Sequence, residues 1–441
     1  MPRELCFVLM PFGKKPDASG TLVDFDAVYQ ELISPAISQA DLDPLRADEE
    51  MTGGIIHKPM FERLMLCPYA VADLSTANAN VFYELGVRHA VRPFSTVLIF
   101  GEGGRLPFDV APLRALPYRL TPSGTPADSA STQALLAALL REARKNAADS
   151  PVFQLVDGIT PLDISHIKTD VFRDRVQYSA DVKKRLAAAR LEGADAIRAI
   201  EMELAPIAEA GVVIDLFLSY RAVKAWDDMV ALAQKMSPPL AATVMVQEQL
   251  ALALNRAGRG ESAERTLLDL IERRGPSSET CGILGRVYKD RWEEALKNGD
   301  MLLARGFLEK AIATYLRGFE TDWRDAYPGI NAVTLMELRE PPDPRRVQIL
   351  PVVAYSVARR IATGKPDYWD HATLVELAVL AREEQRAADA AANALAVVRE
   401  RWEPESTARN LRLIREARAR RNESVLWANQ IEEEFQKRAN K

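Results

Sequence analysis

An α/β domain built on a parallel sheet, followed by an all-α region of stacked helical pairs, is the architecture this sequence predicts. Three observations lead to it. From the start to about residue 148, short apolar runs alternate with helical patterns, as expected of parallel strands joined by covering helices. Between Asp149 and Asp181 the pattern weakens at Pro151, Gly158 and Pro161, which act as breakers. Beyond that junction nearly every segment carries helical periodicity and strand signals vanish. The expected organisation is a first domain at 1–148, a junction at 149–181 and a helical domain at 182–441.

The first domain reads as five strands. Residues 5–10 form the first, followed by a helix over 25–38 with Val28, Leu32, Ile33 and Ala36 on one side. A second, weaker strand lies at 44–47. Gly53 and Gly54 lead into a helix carrying Ile56, Met60, Leu64 and Met65, before a strand at 69–74 and a helix beginning near Val81. The apolar run 95–100 is the clearest strand, 117–120 closes the sheet, and an Ala- and Leu-rich helix over 132–147 covers it. Such alternation specifies a flavodoxin-like parallel sheet.

In the second half, helices are expected at 182–205, 220–236, 240–257, 260–274, 278–298, 301–321, 345–363, 370–400 and 404–438. Turns such as AGRGE, RRGPSS and KNGD recur over roughly 35–45 residues, the period of a tetratricopeptide-like solenoid of antiparallel pairs. Ala251, Ala253 and Ala257 mark close helix contact, and Ala263, Leu267, Leu268 and Ile271 make an apolar stripe. A solenoid of this kind offers a concave face to protein partners.

Composition narrows the function. The 441 residues are 48% hydrophobic and 27% charged, normal for a folded protein. A formal net charge of −5 provides no basic footprint for a phosphate backbone, which argues against nucleic acid as the main partner. Cys6, Cys67 and Cys281 are widely separated, with no CxxC or Cys/His spacing, so neither a disulfide framework nor a metal site is expected. No run approaches the roughly 18 apolar residues of a membrane span, and MPRELCFVLMPFG reads as a first strand rather than a signal peptide. A reducing cytoplasm and no membrane association are expected.

The stretch ADLSTANANVFYELG, residues 72–86, carries the chemistry. It follows a strand end, where ligands sit in doubly wound sheets. Asn80 reads as the helix N-cap, which places Glu84 one position beyond a capping box. Glu84 is then either an ordinary helix-start acid, favoured by the helix dipole, or a catalytic carboxylate held ionised by that dipole. Asp73, Ser75, Asn78 and Asn80 share its loop and could hold a sugar's hydroxyls. Elsewhere, GGIIHKP brings Gly54, His57 and Lys58 to a helix start that could form an anion-binding wall. GEGGR, 101–105, lacks the lysine and hydroxyl of a phosphate loop. His89 reads as structural, and the arginines of REARARR, 415–421, as a solvated helix face.

FVLMPFG together with ADLSTANANVFYELGVRHA resembles the nucleoside 2-deoxyribosyltransferase-like and deoxyribohydrolase superfamily, related to Toll/interleukin-1 receptor domains. That resemblance implies that Glu84 attacks or stabilises the anomeric carbon of a nucleotide while the N-glycosidic bond breaks. It also implies that Asp73 contacts ribose or base and that Pro11, Phe12 and Gly13 form the opposite wall. Asn78 stands where transferases often carry Asp or Ser. SSETCGILGRVYKDRW, LEKAIATYLRGFETD and DAYPGINAVTLMEL, with SPVFQLVDG and KTDVFRDR, resemble the TRAF-binding tetratricopeptide region of apoptosis-signal-regulating kinases. Gly282 and Gly285 there would allow close helix contact. Neither a GxGxxG loop nor HRD and DFG segments are present, so phosphoryl transfer is not expected of this chain.

Two functional readings stand. The first is an effector and sensor pair of bacterial defence signalling that cleaves NAD or a nucleoside monophosphate, needs no cofactor, and is controlled by its helical region. The second is a non-catalytic scaffold that binds proteins through that region. Homo-oligomers occur among the relatives implied by the resemblance. A metabolic nucleoside transferase would leave the long helical region without a role.

Overall fold

The computed structural model describes residues 3–17, 22–46, 57–102, 115–145, 149–160, 169–204, 209–363, 366–423 and 426–440, by backbone alone at 57–59, 169–177 and 363. The chain divides into two compact units, Met1–Val223 and Lys224–Lys441.

The first unit holds strands β1 (Glu4–Leu9), β2 (Lys14–Pro16), β3 (Leu22–Asp24), β4 (Leu42–Arg46), β5 (Tyr69–Asp73), β6 (Thr96–Gly101) and β7 (Ala115–Tyr118). Five of them form a parallel sheet in the order β4-β1-β5-β6-β7. These are the five strands expected, each within a few residues of its place. β2 and β3 form a separate antiparallel pair; three residues apiece give too short a pattern to read from sequence.

Strand β1 shows why both faces must be covered. Cys6 and Val8 point into one apolar layer and Phe7 and Leu9 into the other, and all four are buried. The first layer is closed by α1 (Phe25–Val28), a π-helical turn (Tyr29–Ile33), α2 (Ser34–Gln39) and α5 (Ser129–Glu142). On the opposite face lie α3 (His57–Leu66) and α4 (Ala79–Val91). Runs of apolar residues without alternation of polar ones follow from this two-sided burial. The short helix α6 (Pro151–Leu155) packs on α4.

Three more helices complete this unit: α7 (Thr169–Glu192), α8 (Ala194–Glu203) and α9 (Ala210–Ala222). The single helix expected at 182–205 is broken at Gly193, whose φ of +108° only glycine adopts readily. Helix α9 escapes a periodicity search because Val212, Ile214, Leu216, Phe217 and Tyr220 are buried on most of its sides.

The second unit is helical throughout its described residues: α10 (Trp226–Lys235), α11 (Pro238–Ala241), α12 (Val244–Arg256), α13 (Gly260–Arg274), α14 (Ser278–Lys297), α15 (Met301–Thr321), α16 (Ala326–Leu338), α17 (Arg346–Thr363), α18 (Tyr368–Ala381), α19 (Glu384–Ala396), α20 (Trp402–Arg420) and α21 (Leu426–Ala439). Neighbours in sequence pack on each other, as in α12 with α13, α14 with α15, α18 with α19, and α20 with α21. Gly285 lets α14 and α15 touch: a Cβ there would lie 2.7 Å from the Tyr315 ring. The buried stripe of α13 is Ala263, Leu267 and Leu270, while Leu268 is 45% exposed. The helices expected at 370–400 and 404–438 are each two, divided near Arg382 and Asn422. Among the described residues no helix is long and apolar enough to cross a membrane.

Candidate functional site

Strand order reverses between β1 and β5, so the loops leaving these two strands flank the crevice where such sheets take ligands. They are the loop of Pro11, Phe12 and Gly13, and the loop of Ser75 to Asn78 that opens α4.

Asn78, not Asn80, caps α4. Its side-chain oxygen accepts the Asn80 amide at 3.0 Å and the Val81 amide at 3.3 Å. Asn80 is the second helical residue and is exposed. The shift arises because Asn78 has extended backbone, φ −68° and ψ 125°, as a cap requires. Glu84 therefore lies in the second turn, beyond the reach of the helix-end dipole. It is half-buried, and burial pushes its carboxyl up to about 7. The expectation that the helix end keeps it ionised is reversed. Among the described residues the carboxylate has no hydrogen-bond or ion-pair partner, so its proton is held by desolvation alone.

Asp73 ends β5 and is 1% exposed. Its Oδ1 accepts the Ser75 amide at 3.0 Å and the Ser75 hydroxyl, and its Oδ2 accepts the Tyr118 hydroxyl at 2.8 Å. Ser75 Oγ in turn accepts the Gly101 amide at 2.7 Å and lies 2.9 Å from Tyr118 Oη. Burial pushes the Asp73 carboxyl up despite these donors. The group ties together the carboxyl ends of β5, β6 and β7. Asp73 and Ser75 are thus buried structural links at the strand ends, and Tyr118 is a member that the sequence did not reveal.

The opposite wall is also pinned. Gly13 has φ +62°, its carbonyl accepts the Phe25 amide at 3.0 Å, and its own amide reaches Asp26 Oδ1 at 3.4 Å. Arg46, at the end of β4, pairs with Asp26 at 2.7 Å and donates to the Pro11 carbonyl at 3.4 Å. Its guanidinium lies 5.0 Å from the Phe12 ring centroid and 4.9 Å from that of Tyr29. A lone cation at the end of β4 is the signal the sequence carries for this role.

Gly54 lies outside the described residues, as do the side chain of His57 and residues 103–105 of GEGGR. His89 is buried, and desolvation together with Arg88 lowers it to about 4. Arg88, one turn after Glu84 and fully buried, donates to the carbonyls of Leu64 and Cys67, both at 2.7 Å, and of Pro68 at 3.0 Å. It closes the end of α3 as a C-terminal cap. Among the described residues no cluster of His, Cys, Asp or Glu could hold a metal ion.

In the second unit, the arginines of REARARR are a solvated face only in part: the side chains of Arg415 and Arg420 are 35% and 57% exposed, whereas Arg418 and Arg421 turn inward. Arg418 is 3% exposed and donates to Glu337 Oε1 at 2.9 Å and to the carbonyls of Val379 and Leu380. Arg421 also reaches Glu337, at 2.7 Å.

The model of the MAP3K TRAFs-binding domain matches residues 81–435. The chain belongs to this family. The match begins at Val81, so Glu84, the last two strands of the sheet, the rest of the first unit and nearly all of the second fall inside it, a wider span than the 150–340 stretch on which the kinase resemblance rested. Among curated proteins the chain is 30% identical over 219 residues to mitogen-activated protein kinase kinase kinase nsy-1 of Caenorhabditis elegans, covering 45% of this chain and 14% of that protein. It is 26% identical over 227 residues to mitogen-activated protein kinase kinase kinase 15 of Mus musculus, covering 48% of this chain and 16% of that protein. The chain spans less than a fifth of either relative.

Proposed function

We propose that this chain is a signalling scaffold that recruits adaptor proteins of the TRAF type through its helical region. The family match over 81–435 carries this reading. Helix pairs packed in sequence order support a tetratricopeptide-like solenoid as the recruiting surface. Exposed aromatic residues suit an interface, where large rigid side chains supply most binding energy: Trp323, Tyr327 and Tyr355 are each about half exposed, at 51%, 48% and 57%. Immobilised chain should bind recombinant TRAF domains saturably. A Trp323→Ala/Tyr355→Ala double variant, with unchanged circular dichroism, should bind at least about tenfold more weakly, equivalent to about 1.4 kcal/mol. Absence of binding to the folded wild type would refute this reading.

Glu84 favours a second reading, in which the α/β unit cleaves the N-glycosidic bond of NAD or a nucleoside monophosphate in a cytoplasmic defence-signalling role. A half-buried, unpaired carboxyl near 7, on the helix that leaves the point where strand order reverses, is suited to acid–base work at neutral pH. In this reading Asp73 and Ser75 hold the crevice floor, and Pro11, Phe12 and Gly13 its far wall. Asn78, spent on capping, leaves Asn80 as the free amide near the sugar, and assembly into a homo-oligomer would complete the pocket. Mass detection of released base from NAD and nucleotides tests it. Glu84→Gln should abolish release without lowering Tm; no release by wild type, with or without a bound adaptor, rules it out.

A further inference from the structure

The second unit contains a cavity of 410 Å³ that meets the scaffold reading only at Tyr327 on its lining and whose interior neither reading uses, within the roughly 300–1,000 Å³ of small-molecule pockets. Its floor is polar and built from four helices. Lys289 of α14 is 2% exposed, and its Nζ donates to Asn410 Oδ1 of α20 at 3.1 Å and to Asn331 Oδ1 of α16 at 3.4 Å. The Asn410 amide donates to Glu376 Oε1 of α18 at 2.8 Å, and the Thr334 hydroxyl to Oε2 at 3.3 Å. A lysine and a carboxyl group are thus both buried yet joined only through an amide, and desolvation lowers Lys289 to about 7 and raises Glu376, drawing each toward its neutral form.

Charge inside the cavity is unevenly committed. Its acids are engaged: Asp367 accepts the Trp369 and Asp370 amides as the N-cap of α18, Asp370 pairs with Arg360 at 2.9 Å, and Glu376 takes the amide and hydroxyl above. Arg286 pairs with Asp290 outside the lining, at 2.8 Å. Arg256 has no hydrogen-bond or ion-pair partner among the described residues, and Lys289 meets amide oxygens but no carboxylate. An anion in the cavity would pair with the exposed Arg256 and favour the charged form of Lys289. Two lining indoles, Trp369 and Trp402, lie with ring centroids 5.4 Å apart, and Trp402 is half exposed. Their planes are tilted by 36°, and they offer aromatic surface to a planar ring.

We propose that this cavity binds a mononucleotide, its phosphate against Arg256, Arg286 and Lys289 and its base on the Trp369–Trp402 pair. Such a site would give the helical unit a small-molecule input separate from any protein it recruits. AMP, GMP, CMP and UMP, with adenosine and inorganic phosphate as half-ligands and a Glu-rich hexapeptide as competitor, can be titrated into the full chain by calorimetry and tryptophan fluorescence.

At least one mononucleotide should bind saturably, quench fluorescence, and bind more than tenfold tighter than adenosine or phosphate. Lys289→Met should weaken it more than tenfold. Should that variant fail to fold, Trp402→Ala, changing a half-exposed side chain, should remove most of the quench and weaken binding at least threefold. The proposal is overturned by no saturable nucleotide binding, by equal affinity for phosphate alone, by nucleotide binding that survives Trp402→Ala unchanged, or by tighter binding of the acidic peptide, which would make the cavity a protein groove.

Discussion

Glu84 shows how burial decides the behaviour of one side chain. With its carboxyl near 7, the folded state holds a proton that the unfolded chain releases near the usual 4.5. Stability therefore falls as pH rises from about 4.5 through about 7, because above that range folding must bury a charge. Glu84→Gln should raise Tm relative to wild type at pH 8, and the gain should vanish below about pH 4.5; thermal melts across pH measure this directly. Tyr118 gives a second test. Tyr118→Phe leaves Asp73 Oδ2 buried without its 2.8 Å donor and should cost about 1–3 kcal/mol in urea unfolding. At Glu337, 3% exposed, Arg346, Arg418 and Arg421 converge within 2.9 Å. Glu337→Ala strands three guanidinium groups and should cost about 3–5 kcal/mol.

Among elements, those read correctly from sequence had a one-sided or strongly apolar pattern bounded by Gly, Pro or Asn. Those missed violate that pattern for identifiable reasons. α16 is buried at twelve of its thirteen residues, so it shows no polar face to set the period. Arg382 and Asn422, with φ of 62° and 58°, end helices in the left-handed conformation that glycine usually signals, so two helices read as one. Gly285 was legible as a contact point, and it supplies a paired prediction. Gly285→Ala drives a methyl into the Tyr315 ring and should destabilise by about 1–3 kcal/mol. Gly306→Ala, exposed on α15 with open space around the new methyl, should stabilise by up to about 1 kcal/mol. Denaturation midpoints of the two variants should move in opposite directions.

For the whole molecule, two compact units with their own cores lead us to expect separable unfolding transitions in calorimetry. Tyr118→Phe should lower one and Glu337→Ala the other; a single transition lowered by both would refute this. The candidate crevice was legible in part, since Asp73, Glu84 and the loop at Pro11 sit where apolar runs end. Tyr118 and Arg46 were not, because they reach the crevice from 45 residues beyond Asp73 and 35 residues beyond Pro11. The nucleotide cavity is less legible still: Lys289 and Asn410 meet across 121 residues, and no local spacing records that.

The acid at 337 also imposes an order on biosynthesis. Arg418 and Arg421 follow it by 81 and 84 residues, so a chain leaving the ribosome must carry that carboxylate with only Arg346 at hand until the last helical pair emerges. Nascent chains halted before residue 418 should consequently be protease-sensitive around α16, and acquire resistance only once α20 has been made.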